Sequence, residues 1–265
     1  MAKISVLIVN LNVSELFEKC VKSVLDTKYS DLELILIDND SHKKPKIPQD
    51  PRVIYIQNKS NLGFPAAVNQ GLKLFTGGYV LILNPDTQLP KNFFTKAISF
   101  LNTDSKIGVM GSRFVNLDGT PQGSVFPEPS VFNTLKEYWF GQKDLTEKYV
   151  PTLTSEVNAV SGACMFMSSL IVKKVGLFTD KVFMYYEDLD YCRRIRNLGY
   201  KVVFNSEIEI VHAHGQSSKQ NILSNKYLND ASVWYNGKLK HSLLWFIIWT
   251  SQKIKKLLGS KLIKI

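Results

Sequence analysis

Four short apolar runs in the first third of the chain constrain its fold more than any other feature. They cover residues 3–10, 33–38, 53–56 and 79–83. None alternates between apolar and polar residues, which is typical of strands covered on both faces. Helical patterns follow the first run and, over residues 66–74, the third. This β-α-β-β-α-β order predicts an α/β protein with a single open, mostly parallel sheet flanked by helices.

Polar residues follow these runs where the strands are predicted to end. They are Asn10, Asn12, Asp38, Asn39, Asp40, Ser41, Asn61, Asn84 and Asp86. In open α/β sheets a ligand binds outside the carboxyl ends of the strands. A single Asp in such a place is usually a turn former, but four polar ends together predict a ligand site. We also expect Asn12 to cap the helix that follows it, in a capping box with Glu15.

A later stretch, residues 183–194, places three carboxylates within four positions: Glu187, Asp188 and Asp190. Helical apolar spacing continues from them to Gly199, so the acids lie at a predicted helix N-terminus. They could simply cap that helix, where the free N–H groups and the macrodipole stabilise negative charge. The aromatic residues before them favour a pocket wall instead, in which a partly desolvated carboxylate can act as a general base.

The second half of the chain adds further elements and a histidine. We predict a helix over 90–101 and strands over 107–115, 157–167, 201–204 and 208–215. The last strand delivers His212 to the same sheet edge, and His214, two residues on, is its rival as a metal ligand. Residues 118–156 are interrupted by prolines, and we expect a mobile, substrate-facing segment with a short helix near 131–140.

Composition limits the class of protein. With 265 residues, 45% of them hydrophobic, the chain can bury a full core and is not disordered. Cys20, Cys164 and Cys192 are odd in number and lie in apolar patterns, which favours buried reduced thiols over disulfides or a zinc site. The N-terminus lacks the basic segment and cleavage site of a signal peptide, so we expect a cytoplasmic protein.

Positive charge collects near the C-terminus. From Lys238 onward the chain has no Asp or Glu, and its lysines surround a Trp-rich apolar run over residues 243–249. That run is far shorter than the ~20 residues that span a bilayer. Lysines beside such a run are typical of a helix lying in a membrane interface rather than of a nucleic-acid groove. A helix packed on the core, or on a partner chain, is the alternative.

These residue types suit a sugar nucleotide bound with a divalent cation. Asp38 can accept a hydrogen bond from a base N–H, and Asp86 and His212 can each donate one ligand to Mg²⁺ or Mn²⁺. The cation would assist departure of the diphosphate. On the other side of the anomeric carbon, Asp188 would deprotonate the incoming hydroxyl, and such a direct displacement inverts the configuration.

The series of motifs resembles glycosyltransferase family 2, in its bacterial rhamnosyltransferase-like branch, whose members have the GT-A fold. The matching stretches lie in order at 9–12, 37–41, 61–64 with Asn69 and Gly71, 83–86, Gly162, 175–178, 183–190 and 212–217. The resemblance implies a GT-A domain with a Rossmann-like sheet over residues 1–217. Residues 218–265 would then form a basic amphipathic helical tail.

The resemblance also implies roles for individual residues. It assigns nucleotide-sugar binding to Asn10, Asn12, Asp38, Asn61, Gly63, Asn84 and Asp86. It makes Asp188 the catalytic base with Glu187 beside it, and it assigns the metal to Asp86 and His212. Asn84 stands where the family's Asp-X-Asp motif has its first Asp, a departure that is common in this branch.

The implied activity is inverting transfer of a sugar from a nucleoside-diphosphate sugar to a hydroxyl of a glycan or lipid-linked acceptor, in synthesis of cell-surface polysaccharide. The favoured donor is dTDP-rhamnose, and a UDP-hexose is possible. The tail would hold this cytoplasmic protein at the inner face of the cell membrane, and no nucleic-acid partner is implied.

Two other classes of protein are alternatives. A sugar-1-phosphate nucleotidyltransferase also uses a doubly wound sheet, but it should carry a Gly-rich basic loop where this chain has Asn10 and Asn12. A non-catalytic sugar-nucleotide or glycan-binding module has no need of a base near the anomeric carbon. The joint presence of Asp86, Asp188 and His212 disfavours that second class.

Overall fold

The computed structural model of the protein describes residues 2–213, 223–257 and 259. His214, the predicted domain border between residues 217 and 218, and the last lysines of the tail lie outside the described residues. The strands are β1 (Ile4–Asn10), β2 (Leu32–Asp38), β3 (Val53–Gln57), β4 (Tyr79–Leu83), β5 (Thr87–Gln88), β6 (Ile107–Val115), β7 (Pro121–Gln122), β8 (Val125–Phe126), β9 (Ser155–Glu156), β10 (Ala159–Val160), β11 (Cys164–Ser168) and β12 (Lys201–His212). The helices are α1 (Ser14–Leu25), α2 (Phe64–Leu72), α3 (Phe93–Leu101), α4 (Val131–Phe140), α5 (Ser169–Val175), α6 (Glu187–Asn197), α7 (Ser224–Asn236) and α8 (Lys238–Leu257).

The N-terminal half of the central sheet is parallel. β1 pairs with β2 on one side and with β4 on the other, and β3 extends the sheet beyond β2. Every residue of β1 and β2 is buried, as expected for strands with helices on both faces. The predicted α/β class, with a mostly parallel sheet flanked by helices, is confirmed.

The second half of the sheet carries the last long strand to the site. The strand order is β3-β2-β1-β4-β11-β6-β12-β5, with β11 antiparallel to both neighbours and β12 parallel to β6. The two-residue strand β5 pairs antiparallel with the end of β12, so that Thr87 lies opposite His212. This pairing brings the residues just after β4 against the end of β12.

Two hydrophobic cores lie on the two faces of the sheet, because successive strand residues point to opposite sides. α1 and α3 cover one face, where Phe17 and Phe93 are fully buried. α2, α5 and α6 cover the other, where Tyr191 is fully buried. Truncating a buried ring of this size to Ala typically costs about 3–5 kcal/mol, so both layers hold the sheet that positions the site.

Some element boundaries differ from the sequence prediction. The strands predicted over 201–204 and 208–215 are one strand, β12, whose pairing with β6 shifts between Asn205 and Glu209. The polar residues of that irregularity had indicated a break. The strand predicted over 157–167 divides into β10 and β11.

The capping prediction for Asn12 was wrong. α1 begins after Val13, without a side-chain cap. Asn12 has a positive φ of 58°, and its Oδ1 accepts a hydrogen bond from the His42 amide at 2.8 Å. Its side chain therefore ties two loops together instead of capping the helix.

The cysteines are reduced, and the C-terminal helix packs on the rest of the fold. Cys20, Cys164 and Cys192 are buried and free, as predicted. α8 packs against α4: Ser251 Oγ donates to the Tyr138 carbonyl at 2.6 Å. None of the described helices, including the 20-residue α8, is both long enough and apolar enough to cross a membrane.

Candidate active site

A cavity of about 580 Å³ opens beside the carboxyl ends of the parallel strands. Of the site residues predicted from the sequence, seven line it: Asn61, Gly63, Asn84, Asp86, Glu187, Asp188 and His212. They come from four places in the chain, namely the loop before α2, the turn after β4, the start of α6 and the end of β12. The fold therefore brings together residues that the sequence suggested only separately.

Asp86 and His212 form a buried pair. His212 Nε2 lies 3.3 Å from Asp86 Oδ1, and the Ala213 amide donates to the Asp86 carbonyl at 2.9 Å. The pair exists because β5 docks on the end of β12. Asp86 Oδ1 is buried and makes no hydrogen bond with the described residues.

Gln122 orients the His212 ring. The Gln122 Nε2 donates to Asn116 Oδ1 at 2.7 Å and to the His212 carbonyl at 3.3 Å, which fixes the amide orientation. Its Oε1, 2.5 Å from His212 Nδ1, must then accept a proton from that nitrogen. In the neutral imidazole the lone pair is consequently on Nε2, the atom that faces Asp86.

The Asp86–His212 pair has the donor chemistry of a divalent-cation site. A carboxylate oxygen without a hydrogen bond and an imidazole nitrogen converge at the cavity wall, and both are ligands that Mg²⁺ or Mn²⁺ accepts. Across residues 2–213, 223–257 and 259, no group of three or more His, Cys, Asp or Glu side chains could hold a metal ion. A cation at this pair would therefore need further ligands from a bound substrate or water.

Asp188 is held at the start of α6. Tyr185 and Tyr186 both have positive φ, 72° and 63°, which turns the chain sharply into the helix. The Asp188 carboxylate accepts hydrogen bonds from the amides of Gly162 at 3.1 Å and Leu189 at 2.9 Å. Burial raises the pKa of Asp188, while Lys148 and these amide hydrogen bonds oppose that rise.

Glu187 differs from its neighbour in its contacts. Its Oε2 is buried and finds no hydrogen-bond partner within the described part of the chain. Burial, together with the negative charge of Asp188, raises the pKa of Glu187 to about 8. Burial and the neighbouring charge thus favour the protonated form of Glu187, which leaves Asp188 as the better candidate for an ionised base.

Lys148 is a cavity residue that the sequence analysis missed. Its Nζ lies 3.4 Å from Ser161 Oγ and 4.5 Å from the centre of the Phe126 ring. Burial lowers the pKa of Lys148, and the charges of Asp188, Glu187 and Asp86 raise it again. A single lysine in a proline-rich segment forms no pattern, so nothing in the sequence pointed to it.

Three predicted nucleotide-binding residues, Asn10, Asn12 and Asp38, do not line the cavity. Asn10 and Asp38 are fully buried, and Asn10 Nδ2 donates to Asp38 Oδ1 at 2.9 Å. Asn39, the next residue, lines the cavity instead, and its Nδ2 donates to Asn61 Oδ1 at 2.8 Å.

Gly63 brings the start of α2 against the chain that leads into α6. Its φ is 83°, and a Cβ added there would lie 2.4 Å from the Phe183 carbonyl oxygen. That oxygen accepts a hydrogen bond from the Phe64 amide at 2.9 Å. Only glycine allows this approach, which sets the distance between the Asn61 loop and the Glu187–Asp188 turn.

Similarities to solved structures concern the fold. The mannosyltransferase PcManGT from Pyrobaculum calidifontis, in complex with GDP-Man and Mn²⁺, superposes with a TM-score of 0.62 at 15% identity, over 97% of this chain and 76% of that one. GalNAc-T7 with UDP, GalNAc and Mn²⁺ gives a TM-score of 0.61 at 18% identity, over 80% of this chain but 44% of that longer one. Both are glycosyltransferases of the GT-A fold, which confirms the predicted fold.

Sequence relatives point to the same family. An uncharacterized glycosyltransferase of Haemophilus influenzae is 22% identical over 89% of this chain and 75% of its own length. An N-acetylglucosaminyl-diphospho-decaprenol L-rhamnosyltransferase of Mycobacterium tuberculosis is 22% identical over 81% of this chain and 77% of its own length. The model of the family described as glycosyl transferase family 2 matches residues 5–176. Because that match covers well over half of the chain, this protein belongs to glycosyltransferase family 2.

Proposed function

We propose that this chain transfers a sugar, with inversion, from a nucleoside-diphosphate sugar to a hydroxyl of a glycan or lipid-linked acceptor. The observation that carries the proposal is one cavity lined by both Asp188 and the Asp86–His212 pair. A base for an acceptor hydroxyl and ligands for a diphosphate-bound cation are the two requirements of this chemistry.

Asp188 is the base in this proposal. As the acceptor oxygen bonds to the anomeric carbon, its proton moves to the Asp188 carboxylate, and the electrons of the breaking C–O bond leave with the diphosphate. The amides of Gly162 and Leu189 hold the carboxylate in place through the transfer. A pKa raised by burial makes this carboxylate a stronger base than an exposed Asp.

Asp86 and His212 would hold Mg²⁺ or Mn²⁺. When bound, such a cation offsets the charge of the departing diphosphate. The orphaned Asp86 Oδ1 and the orientation of His212 by Gln122 support this assignment. Asn84, adjacent in the same turn, would contact the donor.

The nucleotide would lie at the ends of β1 and β2. Asp38 Oδ2 and Asn10 Oδ1 are buried acceptors that lack hydrogen-bond partners in the described part of the chain, which suits a base or ribose donor. Asn12, Asn61 and Gly63 would shape the neighbouring wall. Because Asp38 is fully buried, its contact with a nucleotide would require a local rearrangement of these strand ends.

Lys148 would offset negative charge in the cavity. Four acidic residues line it, namely Asp86, Glu147, Glu187 and Asp188. The ammonium of Lys148 favours the ionised form of Asp188 and would attract an incoming diphosphate.

For the donor we favour dTDP-rhamnose, with a UDP-hexose as the alternative. The similarity to a rhamnosyltransferase whose acceptor name contains decaprenol supports both the sugar and a lipid-linked acceptor of cell-surface polysaccharide synthesis. We place the GT-A domain at residues 1–217 and the tail at 218–265, with the protein at the inner face of the cell membrane.

Calorimetric titration of a donor panel tests the proposal. dTDP-rhamnose, UDP-glucose, UDP-galactose, UDP-N-acetylglucosamine and GDP-mannose would each be titrated with and without Mn²⁺. Metal-dependent binding of one donor is expected. If no donor binds in the presence of Mn²⁺, the proposed activity is contradicted and a degenerate site is indicated.

A further inference from the structure

An exposed apolar surface extends over α4 and α8, and the proposed chemistry does not use it. We call it the α4–α8 surface. Its members are Phe132, Leu135, Trp139 and Phe140 on α4, and Leu239, Leu243, Trp245, Phe246 and Trp249 on α8. Phe140 and Leu239 expose 71% and 78% of their areas. Clustered exposure of large apolar side chains marks an interaction site.

A hydrogen bond connects α4 to α8 within this surface. The Trp139 Nε1 donates to the Ile247 carbonyl at 3.3 Å, which places that indole at the seam between the helices. One turn of α8 separates Trp245 from Trp249, and their rings stack with centroids 5.7 Å apart. The sequence indicated α8 alone, since α4 lies about a hundred residues earlier in the chain.

Lysines lie beside two of these aromatic side chains. α8 carries five lysines and no acidic residue. Lys253 lies 5.8 Å from the Trp249 ring, and Lys136 lies 4.3 Å from the Phe132 ring. The acidic residue of α4, Glu137, turns its carboxylate back to accept hydrogen bonds from the Leu145 and Thr146 amides.

α4 is connected at both ends to residues that line the cavity. Phe126, Pro127 and Pro129 precede it in the chain, and Thr146 to Lys148 follow it. A contact that holds α4 therefore acts on the chain that forms this part of the cavity wall.

We propose that the α4–α8 surface rests on an anionic lipid bilayer and places the cavity beside a lipid-linked acceptor. Exposed aromatic side chains together with lysines are typical of interfacial helices, which bind through buried apolar area and attraction to anionic headgroups. A second copy of this chain is disfavoured as the occupant because two lysine-rich surfaces would meet. The link to the acceptor rests on the proposed function, whereas the lipid contact does not.

Vesicle binding of the full chain is the first test. We expect co-sedimentation with phosphatidylcholine vesicles that contain phosphatidylglycerol, weaker binding to phosphatidylcholine alone, and weaker binding at high salt. Three of the four tryptophans lie on the α4–α8 surface, so brominated lipids should quench most of the tryptophan fluorescence. Absence of binding to the anionic vesicles, or binding without quenching, overturns the proposal.

Paired variants test whether α4 takes part. Phe132→Ser with Phe140→Ser removes apolar area from α4, and Phe246→Ser with Trp249→Ser removes it from α8. We expect each pair to weaken binding to the anionic vesicles by about tenfold or more. Leu170→Ser with Leu198→Ser, also exposed apolar positions but outside the α4–α8 surface, should bind like the native protein.

Other outcomes are decided by controls. The proposal is overturned if the Phe132→Ser, Phe140→Ser double variant binds vesicles like the native protein. It is also overturned if the native protein forms a stable dimer in solution that does not bind vesicles. Circular dichroism checks that each variant is folded, and if one is not, Lys253→Gln with Lys256→Gln replaces it and should weaken binding in the same direction. Donor binding without lipid is measured in parallel, so a failure of the proposed function is seen separately from a failure of the lipid contact.

Discussion

Glu187 and Asp188 are adjacent in the chain, yet their surroundings give them different properties. Two backbone amides stabilise the Asp188 carboxylate, whereas a buried Glu187 oxygen has no such partner among the described residues. Two carboxylates this close are not both ionised readily. One proton held on Glu187 would let Asp188 remain ionised as the base.

Glu187 should make the protein less stable at alkaline pH. Its folded pKa of about 8 exceeds the ordinary 4.5, so the folded state binds more protons than the unfolded state between these values, and stability falls as pH rises through that window. Between about pH 5 and about pH 9, the free energy of unfolding of the native protein should fall by on the order of 2–4 kcal/mol relative to that of Glu187→Gln. Urea unfolding at about pH 5 and about pH 9 measures this, with exposed Glu15→Gln as the control. A constant difference between native protein and Glu187→Gln at both pH values would refute the assignment.

Lys148 should set the pH range of catalysis. Replacing it by Met removes the cation that lowers the pKa of Asp188, so the base stays protonated to higher pH and the acid limb of kcat/KM moves upward. At neutral pH we expect a loss of ~10-fold or more. Lys148→Arg keeps the charge and should largely restore the profile. An acid limb in Lys148→Met that coincides with the native one would show that Lys148 acts elsewhere.

At the scale of elements, Gly63 couples α2 to α6. Gly63 and Gly237 have nearly the same backbone conformation, with φ, ψ of 83°, 163° and 75°, 155°. An added Cβ meets the Phe183 carbonyl only at Gly63, and nothing lies within 4 Å of it at Gly237. Both glycines should therefore carry the same backbone cost on substitution by Ala, about 1–3 kcal/mol.

Gly63→Ala should consequently be the more harmful of the two variants. We expect it to lose at least ~1 kcal/mol more stability than Gly237→Ala, since the Phe183 carbonyl must move. Its turnover should fall as well, because the displaced chain leads to Asp188. Urea unfolding and a turnover assay on both variants check this. Equal losses in the two variants would mean that the Phe183 contact has no role.

Elements with a strong local pattern could be read from the sequence. β4, β6 and α4 lie where predicted. β4 is an uninterrupted apolar run, and the Ser130 side chain caps α4 by accepting a hydrogen bond from the Asn133 amide. The antiparallel insertion of β11 between β4 and β6 depends on pairing between distant strands, which no local pattern encodes.

The sequence predicted where on the sheet the candidate site lies, but not which residues are buried there or which loop residues reach it. The position of polar residues at strand ends predicted the sheet edge where Asp86 and His212 meet. It gave no information on burial, so the full burial of Asn10 and Asp38 was not foreseen. Lys148 and Gln122 reach the site only through tertiary packing of the segment over 118–156. No spacing rule links them to the other site residues.

At the scale of the whole molecule, the sheet assembles the site from both halves of the chain. β4 and β5 supply Asp86, β12 supplies His212, and α6 supplies Asp188. The family match ends at residue 176, before α6 and β12. The proposed base and one of the two proposed cation ligands therefore lie outside the residues that the family model matches.

The central claim is that this cavity catalyses sugar transfer with Asp188 as its base, and Asp188→Asn tests it most directly. Donor affinity by calorimetry and release of nucleoside diphosphate would be measured on the same preparations of native protein and variant. The amide keeps the size of the side chain but cannot take a proton, so we expect donor affinity to stay within a few-fold while turnover falls by ~100-fold or more. Native-like turnover in Asp188→Asn would contradict the account.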